Sequence, residues 1–334
     1  MAEIPLKGGK AMMRGTLKMA MVVVFGAWVG FVWGQGGYQK GVKILEKLLP
    51  PVKAKRVTLL PLTPVPRPPT FREYKRGIKM PVPSGPAMAF VRKGKVYVVD
   101  DEKRKLIECS LEGKILRELP FPKGIPKRHP FGGRVLSGLM SLWGEVLWVG
   151  FEGLPYAFGV DLRRWEIVEE RRWKGKGLVA GLFARGRDLY VIMPGKVKGY
   201  EVIWKVVRVR EGGEQEGQMK EGWRPSYVDE RGGVYWVWDE GKAISRMLKV
   251  GYGKFGQEPR VIATIDLRHR KDISLRWTSG GQVIGVIGDT IIGFISFDIR
   301  VGKGEWVGTY SFLVIRRDGS YKIVGDLTEA IGEV

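Results

Sequence analysis

Few side chains in this sequence are of types that do chemistry at spacings that would let them. The chain has 334 residues, with two His, one Cys and no Asn. His129 lies in Pro126-Lys-Arg-His-Pro130 and His269 in Arg268-His-Arg270. Flanking cations disfavour an imidazolium and weaken metal binding. Neither histidine has a His or Cys partner at ligand spacing. The densest acidic run, Asp100-Asp101-Glu102, could hold a hard cation, but it stands at the end of a strand, where carboxylates cap turns. Cys109 shares a strand face with Ile107 by period-2 alternation and is expected to be a buried structural thiol. No phosphate-binding glycine loop, dinucleotide fingerprint or nucleophile elbow is placed where it could work. No catalytic residue, metal or cofactor is expected.

The aromatic residues carry more. Twelve Trp is a high count for this length. Trp148, Trp236 and Trp238 lie within apolar alternating runs and are expected to pack between sheets. Trp223, with Arg224 and Tyr227 in Trp223-Arg-Pro-Ser-Tyr227, is the best candidate binding cluster, because Trp and Arg are common interface anchors.

The elements that would position these residues divide the chain in four. Residues 1–18 are basic and expected to be cytoplasmic. Residues 19–38 are uncharged and mostly apolar, with Lys7, Lys10, Arg14 and Lys18 before and Lys40, Lys43 and Lys47 after. That length suits a transmembrane helix, with Trp28, Trp33 and Tyr38 as membrane-interface residues. A cleaved signal peptide and a buried core helix are the competing readings. Residues 39–84 combine a short amphipathic helix over 41–49 with a Pro-rich linker; ten of the 19 prolines fall in 50–86. Such a tract is an extended, semi-rigid spacer. It contains a candidate edge strand, Arg56-Val-Thr-Leu-Leu-Pro-Leu62. Lys53, Lys55, Arg56, Arg72, Lys75 and Arg76 could follow an anionic surface.

From residue 85 the pattern becomes short alternating strands between Gly-rich and charged turns, with a helix expected only at 327–331. In the clearest unit two strands flank Lys93-Gly94 and two more flank Glu112-Gly113. In Val96-Tyr-Val-Val-Asp100 both faces are apolar, as in a strand stacked between two sheets. Related second strands start at 146, 188, 234 and 283, with residues 291–305 left over as an extra hairpin or loop. The interval fits four-stranded propeller blades. The expected fold is all-β: a β-propeller over 85–334 with five repeats visible and five or six blades. A sixth could draw on Arg56–Leu62.

The first unit, Gly94-Lys-Val-Tyr-Val-Val-Asp-Asp101 followed by Leu111-Glu-Gly-Lys-Ile-Leu116, resembles an NHL-type blade. Residues 85–328 as a whole are similar to the six-bladed, TolB-like propellers found outside many bacterial cytoplasmic membranes. The repeated Gly-His and Trp-Asp pairs of WD40 blades and the Gly-Gly of kelch blades are missing. A gluconolactonase-type propeller would need Asn among its calcium ligands, and this chain has none.

The formal net charge is +22. The first 80 residues hold 15 Lys and Arg against 3 acids. Such a balance favours anionic partners. Basic residues in the repeats are mixed with acids over the turns, which argues against nucleic acid. Absent Asn, six Gln and 28% charged residues match a thermophile composition. Together these features predict a single-pass, membrane-anchored propeller, N-terminus inside and propeller outside, that serves as a non-catalytic accessory subunit. Its expected partners are proteins of a membrane or envelope complex, with the lipid bilayer held through the N-terminal helix. The alternatives are a hydrolase or lyase with its site in the central channel, or a ligand-binding sensor.

Overall fold

The computed structural model describes residues 86–325, apart from 102, 127–136, 152, 175–178, 199–200, 218–219, 240–245, 270, 272, 276–280 and 301–305. The expected transmembrane helix over 19–38, the linker over 39–84 with its six basic residues, the strand at Arg56–Leu62 and the helix at 327–331 lie outside the described residues, as does His129. Among the described residues no helix is long and apolar enough to cross a membrane.

Strands follow one another as antiparallel meanders. The first sheet is β1 (Pro86–Arg92), β2 (Lys95–Asp100), β3 (Lys105–Ser110) and β4 (Ile115–Pro120). The second is β5 (Ser137–Trp143), β6 (Val146–Phe151), β7 (Tyr156–Asp161) and β8 (Glu166–Arg172). The third is β9 (Gly181–Arg185), β10 (Asp188–Lys198), β11 (Glu201–Arg210) and β12 (Gly213–Glu216). The fourth is β13 (Trp223–Val228), β14 (Gly233–Asp239), β15 (Met247–Lys254) and β16 (Arg260–Asp266). The fifth is β17 (Ile273–Leu275), β18 (Gly281–Ile287), β19 (Thr290–Arg300), β20 (Trp306–Ile315) and β21 (Tyr321–Val324). The leading strands of successive sheets lie side by side. This is a β-propeller with five described blades.

The cores follow from period-2 alternation. Along β6, Leu147, Val149 and Phe151 face the first sheet and Trp148 faces the third. Along β10, Leu189, Val191 and Met193 face the second sheet, while Tyr190 and Ile192 face the fourth. Along β14, Val234 and Trp236 face the third sheet, and Tyr235 and Val237 face the fifth. Each second strand therefore needs apolar residues on both faces, as read from the sequence for Val96–Val99. A fully buried Val, Leu or Phe contributes about 1.5–3 kcal/mol, so these strands hold the sheets together. The outer strands β4 and β8 alternate half-buried and exposed residues.

The fifth repeat departs from the expected register. Val283 lies in β18, a leading strand rather than a second strand, and residues 290–300 are the second strand itself, not an extra hairpin. The leading strand is also split. β17 pairs with β19 through Ile273–Ile299 to Leu275–Phe297, and β18 pairs further along β19 through Gly281–Ile295 to Ile287–Thr290. Both pieces occupy one edge of an eleven-residue strand.

Candidate functional site

Three turns at one end of the first two sheets build a cleft. The first joins β1 to β2 through Lys93-Gly94, both at positive φ (47° and 75°). Two left-handed residues in a two-residue loop form the hairpin turn whose twist matches that of the strands. The second joins β5 to β6 through Gly144-Glu145, with Gly144 at φ 58°. The third joins β7 to β8. Asp161 Oδ1 accepts the backbone N–H groups of Arg163 (2.8 Å) and Arg164 (3.0 Å), the side-chain mimicry of a turn that Asp favours. These bonds hold the Asp161 carboxyl below its usual range, Arg164 N–H first. The turn ends at Trp165, φ 58°, an unfavourable conformation for a bulky residue. Its ring is held by the Arg117 guanidinium at 4.5 Å and lies 6.3 Å from Tyr97.

The resulting cavity, about 330 Å³, is lined by Arg92, Lys93, Lys95, Tyr97, Arg117, Glu145, Leu162 and Arg163. Two carboxylates organise it. Glu108 is almost fully buried and takes Lys95 Nζ at 2.8 Å and Arg117 Nη2. Burial alone would raise its pKa, but the hydrogen bonds from Arg117 and Lys95, with their charges, outweigh it and hold the carboxyl below the usual range. Arg117 also reaches across to the second sheet, donating to Leu162 O at 3.0 Å. Glu145 sits at the rim. Its Oε1 accepts Arg92 Nη2 at 2.9 Å and Lys93 Nζ at 3.1 Å, and Arg163 Nη2 stands 3.8 Å away. The Lys93 hydrogen bond, then the charges of Arg92, Lys93 and Arg163, hold the Glu145 carboxyl low against a smaller opposing effect of desolvation. Five cations thus meet two carboxylates. The arrangement can hold anions.

No protein-family model matches this sequence. No curated protein matches it either. Solved structures do resemble it. Hydrazine synthase of Kuenenia stuttgartiensis is 14% identical over 71% of this chain and 64% of that one, with a TM-score of 0.45. The chain therefore spans just under two thirds of the length of that protein's chain. A protein of unknown function from Bacteroides caccae is 10% identical over 75% of this chain and 84% of that one, with a TM-score of 0.46. A β-propeller domain from Myceliophteria thermophila is 10% identical over 72% and 86%, with a TM-score of 0.36.

The structure places Trp223, Arg224 and Tyr227 on the strand β13, Trp223 at its start just after a turn. Trp223 is buried in the core between the third and fourth sheets, its ring against Gly251, where a Cβ would come within 2.7 Å. Arg224 turns the other way and donates to Gly281 O of the fifth sheet at 2.9 Å. Tyr227 packs edge-on to Phe183 at 5.5 Å. The three do not converge on one cavity. Trp148 and Trp236 lie between sheets, as expected, and Trp238 packs against the same core as Trp236. Asp100 Oδ1 accepts Lys103 N–H at 3.0 Å, a turn cap as anticipated. Cys109 is fully buried beside Ile107. Burial, then Glu108 and Glu118, push its thiol pKa up, which makes it inert. His269 is exposed. Among the described residues no group of three or more His, Cys, Asp or Glu could hold a metal ion.

The sequence does not single out the cleft: Lys93, Glu145 and Arg163 read as solvated turn residues, and Arg92, Lys95, Tyr97 and Arg117 as ordinary strand residues. One signal was available. Gly186-Arg187 and Gly288-Asp289 occupy the same hairpin position as Gly144-Glu145, again with glycine first and at positive φ. Aligning the turns blade by blade brings Lys93 and Glu145 to one end of neighbouring sheets.

Proposed function

We propose that this chain is a membrane-anchored, extracytoplasmic β-propeller that works as a non-catalytic binding and assembly module, an accessory subunit of a larger membrane or envelope complex in a thermophilic bacterium. The observation that carries this reading is the cleft, where Arg92, Lys93, Lys95, Arg117 and Arg163 outnumber Glu108 and Glu145. Cations placed on the turns and adjoining strands of two packed sheets offer a preorganised contact for an anionic partner, and preorganisation lowers the entropic cost of binding. The apolar run at 19–38 and the Pro-rich basic segment after it support tethering at a bilayer. The pattern of the first blade supports kinship with NHL- and TolB-like propellers. The mechanism is non-covalent: a stack of sheets presents turns, and the N-terminal segment fixes their distance from the membrane. Gentle detergent extraction of native membranes, sizing, and mass spectrometry of co-migrating chains test this. Stoichiometric partners in a large particle are expected. A lone chain in its micelle overturns the accessory-subunit reading.

A further inference from the structure

The cradle around Glu145 is unevenly charged. Three cationic groups from two sheets, Arg92, Lys93 and Arg163, converge on the single oxygen Oε1 of one carboxylate. Arg92 Nη1 is buried there and has no acceptor among the described residues, and a buried unsatisfied donor is costly. Glu145 itself is replaceable. It sits in a two-residue hairpin loop with its side chain 27% exposed, so a rotamer change carries the carboxylate into solvent without moving a strand.

We propose that Arg92, Lys93 and Arg163 form a seat for a doubly charged tetrahedral oxyanion, the phosphate monoester group of a small molecule, and that Glu145 is the resident carboxylate which that group displaces. A monoanion leaves two of the three cations uncompensated; a dianion compensates one more. Two guanidinium groups flanking the seat suit an oxyanion that accepts several hydrogen bonds at once. The cavity, about 330 Å³, has room for more than the anion itself. Its remaining walls offer Tyr97 and Leu162 to an apolar or ring-shaped body and Lys95 and Arg117 to further acceptors. A concave, convergent seat fits a compact oxyanion better than an extended acidic peptide, whose carboxylates lie too far apart to share one oxygen position. Glu145 sets a threshold: as an internal competitor it keeps weaker monoanions out.

This goes beyond the reading of the chain as an assembly module, because it gives the cleft a small-molecule ligand of its own. The test is calorimetric titration of the purified full chain in detergent at fixed ionic strength with pyrophosphate, inorganic sulfate and a hexaglutamate peptide. Pyrophosphate is expected to bind and sulfate to compete. Glu145→Gln should bind pyrophosphate about tenfold more tightly, the equivalent of about 1.4 kcal/mol. Arg92→Gln and Arg163→Gln should each weaken it about tenfold. The Arg163 side chain is 76% exposed, so its replacement probes the seat without disturbing the core, and parallel melting curves check the fold of the other two. The proposal is overturned if Glu145→Gln leaves pyrophosphate binding unchanged or weaker, if Arg163→Gln binds as the parent does, or if hexaglutamate binds and pyrophosphate does not. The titration contains no partner chain. Its failure leaves complex membership standing, and a lone chain in the membrane extract leaves the seat standing.

Discussion

Glu108 shows how one buried charge can tie two sheets together. It sits between Ile107 and Cys109, its carboxylate turned to the opposite face from both, and takes Lys95 and Arg117. Because Arg117 also bonds Leu162 O, the carboxylate orients a side chain that spans the first and second sheets. Glu108→Gln keeps the shape and removes the charge. We expect it to lower stability by about 2 kcal/mol, the value of hydrogen bonds to a charged group, read from urea unfolding. The same residue sets an acid limit. Its folded pKa is depressed, so its contribution is full above the ordinary glutamate value of about 4.3. That contribution is lost as the pH falls below this value and through the lowered folded one. Glu108→Gln should flatten that part of the stability profile. Period-2 alternation made the facing of Ile107 and Cys109 legible in sequence. The role of Glu108 was not: the hairpin about Glu112-Gly113 sets Arg117 opposite Glu108, but the burial of the carboxylate and the bond from Arg117 to the second sheet depend on packing between sheets.

At the scale of elements, strand existence was readable and strand rank was not. The first four repeats keep a clear second strand because it must be apolar on both faces. In the fifth, Val283–Ile287 and Ile291–Ile295 are alike in composition, and the split leading strand removes the usual spacing cue. Outer strands face a different constraint, since they must not pair with other molecules. In β8 the exposed positions are Glu166, Val168, Glu170 and Arg172, so an exposed valine is bracketed by charges. Replacing Glu166 and Glu170 together with Val should leave the inter-sheet cores intact and convert this edge into a pairing surface. Light scattering on size-exclusion fractions should then show concentration-dependent association absent from the parent.

For the whole molecule, the sheets are coupled through shared aromatic layers. Phe183 of the third sheet meets Tyr227 of the fourth, which lies 6.1 Å from Tyr235; Tyr235 in turn lies 4.8 Å from Tyr252. Burial, chiefly, pushes the hydroxyl of Tyr235 up to about 12, and it raises Tyr227 and Tyr252 as well. Neutral tyrosines are therefore favoured in the folded state. Their stabilising contribution is full below the unfolded value of about 10 and is lost as the pH rises toward the folded one. Phenolate absorbance is expected to show these tyrosines ionising together with loss of the β-sheet circular dichroism signal between about pH 10 and 12. A phenolate signal that rises fully before the sheet signal changes would contradict the coupling. This layer was hidden in the sequence, where Phe183 stands in one repeat and Tyr227, Tyr235 and Tyr252 stand on three different strands of the next.

The strand order carries a consequence for synthesis. Among the described residues, each strand from β1 to β16 pairs only with strands adjacent to it in sequence. A sheet can therefore be completed as soon as its own residues have left the ribosome, and the finished sheet then offers an apolar face to the next. Vectorial emergence matches the order of assembly, which limits the time that unpaired edges stay open to wrong partners. The fifth sheet breaks the rule. β17 emerges before β18 but must wait for β19, which both require. The last blade is thus the one whose nascent strands wait longest, and the natural place for a chaperone to be needed.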